Sequence, residues 1–198
     1  FKSRWKRGNA GLQSIPQEFP AYCRIFLPVR TPDIFELQMV FSFQDAEGSI
    51  AVGFPAGRET CFVVVDPKKG GAGISFVRGF PAHKNKSFTK GVAFVPNKKH
   101  TLRLRVKADE ENAAISAEMD GRKLVRWFGP QSDLSADPSY YKRGGLMLRV
   151  SGKSEILIES IQIRVPGGKV LAVPASTFWN IPGAGTATAA RPHGKPGT

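Results

Sequence analysis

The stretch HTLRLRVKADEENAAISAEMDGRKLVRW, residues 100–127, decides the fold. In its first part Leu102, Leu104 and Val106 alternate with Thr101, Arg103, Arg105 and Lys107; in its second, Ile115, Ala117 and Met119 alternate with Ser116 and Glu118. A period of two places the apolar set on one face of an extended strand and the polar set on the other. Asp120-Gly121 supplies the positive backbone angles of a tight hairpin turn, and Asp109, Glu110 and Glu111 sit in the turn before it. The spacing predicts a three-stranded antiparallel meander with one face in a core. After the hairpin turn, plain alternation pairs Leu124 with Arg126 and Val125 with Trp127. A tryptophan in register with a valine reads as core cover rather than as a sugar platform.

Working outward, residues 33–43, DIFELQMVFSF, set Phe35, Leu37, Met39, Phe41 and Phe43 on one face against Glu36, Gln38 and Ser42 on the other. SIAVGF (49–54), TCFVVVD (60–66) and GISFVRG (73–79) are further short strands bounded by Gly, Pro or charged turn residues. FPAHKNKSFTKG (80–91) reads as an exposed basic loop, while GGLMLRV (144–150) and SEILIESIQIRV (154–165) close the set, the second as a central strand. Helix is nearly absent. Many short strands with frequent turns predict an all-β, antiparallel two-sheet sandwich.

The length, 198 residues, suits one domain. Residues 1–180 are expected to form a single β-sandwich and residues 181–198, rich in Ala, Gly, Pro and Thr, a flexible tail or linker. VLAVPASTFWN (170–180) is expected to dock through Phe178 and Trp179. No run approaches the roughly 18 apolar residues that span a bilayer, and a chain opening FKSRWKRGNAG reads as a piece of a longer protein. Lys and Arg total 29 against 16 Asp and Glu, a net charge of +13, so attraction to polyanions follows from charge alone. Cys23 and Cys61 each lie in an apolar alternating stretch, which suits buried thiols or, if their strands are neighbours in an oxidising compartment, a disulfide.

The segments FELQMVFSF, SIAVGFPAGRETCFVVVD, the meander through WFGP, SDLS and GGLMLRVSGKSEILIESIQIRV together resemble the concanavalin A-like, laminin-G-like jelly-roll domains. More narrowly they are similar to modules of planctomycete and related bacterial multidomain proteins with a 3-keto-disaccharide hydrolase-like fold. The likeness covers about residues 34–165. It implies a sugar-directed domain, but this fold hosts glucanases, lectins and non-catalytic modules alike.

Retaining glucanases of the fold carry carboxylates at alternate positions of one strand, flanking the scissile bond. No such run occurs: Glu155 and Glu159 are four apart, and Glu110 and Glu111 are turn residues. His83, His100 and His193 are scattered, and no Cys-x-x-Cys pair is present, so zinc is not expected. No cofactor is expected; the resemblance brings in calcium as a minor alternative, with Asp66, Asp120 and Asp133 in turns that can converge. DPKKGGAG (66–73) lacks the Lys-Ser/Thr ending of a phosphate loop.

Surface candidates remain. Arg103, Arg105 and Lys107, with Arg122, Lys123 and Arg126 on the hairpin, form one cationic patch or one solvated sheet face. Guanidinium groups suit carboxylate, sulfate and phosphate. Tyr140 and Tyr141, beside Lys142 and Arg143, are the candidate stacking pair. The expected partners are a polysaccharide or acidic polymer and other domains of the parent protein, and the absence of nucleic-acid motifs argues against DNA or RNA. The expected function is a non-catalytic carbohydrate-binding or interaction module of a larger bacterial protein, exported or at the cell surface. Polyanion binding through the basic face and a divergent glycoside hydrolase are the alternatives.

Overall fold

The computed structural model describes residues 5–8, 10–15, 22–27, 29–57, 59–135, 145–152, 154–167 and 170–172. Its strands, in chain order, are β1 (Trp5–Gly8), β2 (Gly11–Ser14), β3 (Tyr22–Leu27), β4 (Ile34–Phe43), β5 (Ser49–Ala56), β6 (Glu59–Asp66), β7 (Gly71–Ile74), β8 (Phe76–Val77), β9 (Phe80–Pro81) and β10 (Thr89–Lys90). They continue with β11 (His100–Ala108), β12 (Asn112–Met119), β13 (Arg122–Pro130), β14 (Leu146–Ser151), β15 (Ile156–Arg164) and β16 (Val170–Ala172). The described residues hold no α-helix, only two single 3-10 turns, Ala82–Lys84 and Gln131–Asp133.

Every strand pairing is antiparallel, and two main sheets result. The eight-stranded sheet runs β1-β2-β15-β4-β11-β12-β13, with β16 also on β15; the six-stranded sheet runs β10-β7-β6-β5-β14-β3. Successive strands cross between sheets, so β4 meets β11 and β15, partners more than fifty residues away. The inner faces follow the alternation read from the sequence. Phe35, Leu37, Met39, Phe41 and Phe43 of β4 and Leu102, Leu104 and Val106 of β11 pack, at 3% exposure or less, against Ile50, Val52 and Phe54 of β5 and Leu146 and Leu148 of β14. Phe41 and Phe43 meet edge to face at 5.3 Å, and Phe35 meets Phe54 across the sandwich at 6.1 Å.

Two bulges interrupt the period of two. Between Ile158 and Ser160 the register of β15 on β4 shifts, so Ile156, Ile158, Ile161 and Ile163 all reach the core although Ile158 and Ile161 are three apart. Between Ala117 and Glu118 the register of β12 on β13 shifts, leaving Leu124 as the extra residue. Leu124 and Val125 are therefore both buried, at 1% and 2%, which corrects the plain alternation expected there. The hairpin turn itself is as read: Asp120 and Gly121 have φ of 53° and 80°.

Two other expectations change, and one reading left open is decided. Residues 73–79 are not one strand; β7 ends at Ile74 and Phe76–Val77 pairs with Phe80–Pro81 in a separate ribbon. Residues 80–91 are not a free loop, because buried Ser87 donates to Asn85 and accepts from the Ile74 amide at 2.8 Å, while Asn85 donates to the Ile74 carbonyl. No disulfide joins the cysteines: Cys23 and Cys61 are both buried thiols, and Cys23 Sγ donates to the Ile15 carbonyl at 3.0 Å. β3 and β6 stand three strand positions apart in their sheet, roughly 14 Å at the usual strand spacing, whereas a disulfide needs Cα atoms within about 7 Å. Residues Phe178 and Trp179 and the 181–198 tail lie outside the described residues.

Candidate functional site

The two sheets differ on their outer faces. On the six-stranded sheet the centre of that face is an apolar cluster: Ala51, Phe62 and Met147 are buried, and the Phe62 ring lies over Gly53, where a Cβ would come within 2.6 Å of it. The Arg149 guanidinium stands 4.9 Å above the same ring. On the eight-stranded sheet the outer face is polar and open.

Its geometry follows from register. Ile34, Lys107, Ala114 and Phe128 form one row across β4, β11, β12 and β13. The next row is Arg164, Glu36, Arg105, Ser116 and Arg126, and the third is Gln162, Gln38, Arg103, Glu118 and Lys123. In the first two rows β12 contributes only Ala114 and Ser116, while β11 and β13 carry long side chains on either side. Small residues flanked by long ones make a trough, with walls about 10 Å apart at two strand spacings. The trough holds about 860 Å³, and Val165 and Pro166 close its end beyond β15.

The lining is apolar and cationic together. Phe128 is 74% exposed and Ile34 43%, both at the open end of the sheet. Trp127, paired with Ile115, is half-buried against the core with its indole close to Gly129, and the residue borders the trough. Arg105 donates from Nε to Glu36 Oε2 at 2.6 Å, and that hydrogen bond and charge raise the Arg105 pKa. Lys107, Arg126 and Arg164 have no ion pair or hydrogen bond among the described residues. Among the described residues Glu36 is the one carboxylate lining the trough.

Of the sequence candidates, Arg105, Lys107 and Arg126 come together here. Arg103 stands one row further along, donating to Gln38 at 3.3 Å and Glu118 at 3.4 Å. Arg122 turns away, its Nη1 donating to the Gly91 carbonyl at 2.6 Å. Tyr140 and Tyr141 lie outside the described residues. Phe128, Ile34, Glu36 and Arg164 were not singled out from sequence. Alternation from Arg126 places Phe128 on the same face and would have found it; Arg164 joins only because β15 pairs with β4.

The aspartates offered for calcium do not converge. Asp66 accepts from the Lys69 amide at 3.0 Å and Asp133 from Arg78 Nε at 2.9 Å. Asp120 accepts from the Thr101 amide at 2.8 Å and pairs with His100 Nδ1 at 2.7 Å. Burial works to raise the Asp120 pKa, but the Thr101 and His100 contacts outweigh it and hold the carboxyl below its usual range. Among the described residues no group of three His, Cys, Asp or Glu is placed to hold a metal ion.

No family model matches the chain, and no curated protein matches it. Solved structures do. The carbohydrate-binding module CBM66 from Bacillus subtilis superposes with a TM-score of 0.56 at 15% identity, covering 83% of this chain and 92% of that one. A legume lectin-like domain from Entamoeba histolytica gives 0.50 at 14% identity, over 84% and 89% of the two chains. Peanut lectin gives 0.51 at 10% identity, over 82% and 88%. These are concanavalin A-like jelly rolls, and the chain shares that fold.

Proposed function

We propose that this concanavalin A-like jelly roll is a non-catalytic carbohydrate-binding module that holds a glycan in the trough of its eight-stranded sheet. The observation that carries the reading is Phe128, a large aromatic ring 74% exposed beside a small-residue floor and unpartnered cations. A single exposed ring is ordinary on a protein surface, but Phe128 shares one row with exposed Ile34 across Lys107 and Ala114, an apolar surface rimmed by polar groups of the kind found in ligand-binding grooves, and a sugar offers one apolar C–H face and a polar rim to match it. The Bacillus subtilis carbohydrate-binding module of the same fold supports the reading by analogy. Most glycosidases flank the scissile bond with two carboxyl groups; among the described residues the trough is lined by Glu36, already bonded to Arg105. Such a module belongs in an exported or cell-surface protein of several domains. Tyr140 and Tyr141 add a stacking pair to the Phe128 ring, and residues 1–180 are its binding domain.

The test is retention of the purified full chain by a panel of neutral and acidic polysaccharides in affinity electrophoresis at low and high salt. At least one glycan is expected to retard it, a chain ending at Asn180 equally, and Phe128→Ala far less. Indifference to every glycan would overturn the reading, as would release of reducing ends abolished by changing one carboxylate.

A further inference from the structure

We infer that the trough selects an acidic glycan and takes the chain lengthwise, along the strands, rather than by one end. The inference rests on the carbohydrate-binding reading and names the ligand class of the same site. Charge comes first. Among the described residues four cationic side chains, Arg105, Lys107, Arg126 and Arg164, line the trough against one carboxylate, Glu36, which already faces Arg105. Lys107, Arg126 and Arg164 make no ion pair among the described residues, although the Asp109 charge acts on Lys107, so this end of the sheet carries a surplus of mutually repelling positive charge. A bound carboxylate or sulfate relieves that repulsion and gains charge-assisted hydrogen bonds, while Phe128 takes the apolar face of the adjoining ring. A neutral sugar uses Phe128 and leaves the cations unpaired.

Direction comes second. The trough does not end at its second row. Arg105, Ser116 and Arg126 also bound a neighbouring recess of about 180 Å³ that continues to Arg103, Glu118 and Lys123. Arg103 and Glu118 in turn bound a third recess, of about 330 Å³, reaching Thr101, Asp120 and Gly121 at the hairpin turn. The outer-face positions of β11 are Lys107, Arg105 and Arg103, one every two residues, so cations recur about every 6.8 Å along the wall. Lys123 has no partner among the described residues, unlike Arg103, which is bonded to Glu118 and Gln38. Along this run the floor passes from Ala114 and Ser116 to Glu118, and the cations Lys107, Arg105, Arg126, Arg103 and Lys123 outnumber the carboxylates Glu36 and Glu118 beside them, a surplus that suits a polymer carrying repeated anionic groups.

The experiment uses the full chain in titration calorimetry with polygalacturonate and its methyl ester, which share a backbone and differ in charge. Alginate, hyaluronate and chondroitin sulfate extend the acidic set; levan, xylan and mannan form the neutral set, and single-stranded DNA serves as a non-sugar polyanion. An acidic glycan is expected to bind at least about tenfold more tightly than the neutral set. Lys107→Gln with Arg126→Gln is expected to lose about tenfold, and Lys84→Gln with Lys86→Gln, remote and equal in charge, less than about threefold. Affinity is expected to climb with oligogalacturonide length before levelling, and Arg103→Gln with Lys123→Gln to weaken long oligomers but not the shortest. Equal binding of neutral and acidic glycans overturns the acidic inference and leaves the carbohydrate reading standing. Length-independent affinity overturns the lengthwise arrangement. Binding of DNA as tight as any glycan, unchanged by Phe128→Ala, overturns both, as does binding to nothing in the panel.

Discussion

Replacing Phe128 by alanine separates a binding ring from a structural one. In the folded chain the ring is 74% exposed, whereas Phe41, on the inner face of the same sheet, is fully buried. A Phe side chain offers about 200 Å², so Phe128 has withdrawn roughly 50 Å² from water, worth about 1 kcal/mol at 25 cal/mol per Å². Phe41→Ala removes a fully packed ring and is expected to cost about 3–5 kcal/mol. Binding inverts the order. A sugar covering one face of Phe128 buries roughly 75 Å² of it, about 2 kcal/mol, or a factor of about 25 in affinity. Urea unfolding followed by tryptophan fluorescence gives the first pair of numbers, and calorimetry with the glycan that binds best gives the second. Phe128→Ala should unfold within about 1 kcal/mol of the parent chain yet bind far more weakly. A stability loss equal to that of Phe41→Ala would mean the ring is a core element. Unchanged affinity would mean no ligand stacks on it. Either result refutes the reasoning.

Two further outcomes follow from the structure. Asp120 has a folded-state pKa below its usual range, so its contribution to stability is present above the unfolded carboxyl pKa, about 3.9, and is lost as pH falls through the lower folded value. Asp120→Asn, which tolerates the positive φ, should therefore be destabilised at neutral pH and converge on the parent once the pH has fallen below the lowered folded-state pKa; a gap that persists into strong acid would refute the electrostatic account. Burial pushes the Cys61 thiol far up from its ordinary pKa, so Cys61 should resist a thiol-specific chromogenic reagent in the native state and react on unfolding, with reductant leaving Tm unchanged. Rapid modification of both thiols in the folded chain would show that the sandwich opens there.

The sandwich was legible because alternation is a local signal. β4 and β11 to β13 each announce an inner face by a period of two, and Asp120-Gly121 fixes the hairpin without any distant contact. Where an extra residue enters, at Leu124 in β13 or near Glu159 in β15, the local signal fails, since a bulge is set by the partner strand. The short pieces Phe76–Val77 and Phe80–Pro81 were misread for a related reason: two-residue strands carry too little pattern to be seen.

The candidate site divides in the same way. Sequence placed Arg103, Arg105 and Lys107 together because residues two apart on one strand share a face, and hairpin pairing added Arg126. It paired Arg122 with them, but that side chain bonds to Gly91, a contact between segments thirty-one residues apart. Sequence by itself determined the all-β architecture, the apolar faces and the surplus of positive charge, each a matter of composition or of neighbours along one strand. Tertiary structure alone decided that Cys23 and Cys61 stand too far apart to bond, that Arg164 and Glu36 reach the same trough, and that Ala114 and Ser116 form its floor. Those outcomes depend on strand order, which is set by which faces bury most when distant segments meet, and not by any pattern within them.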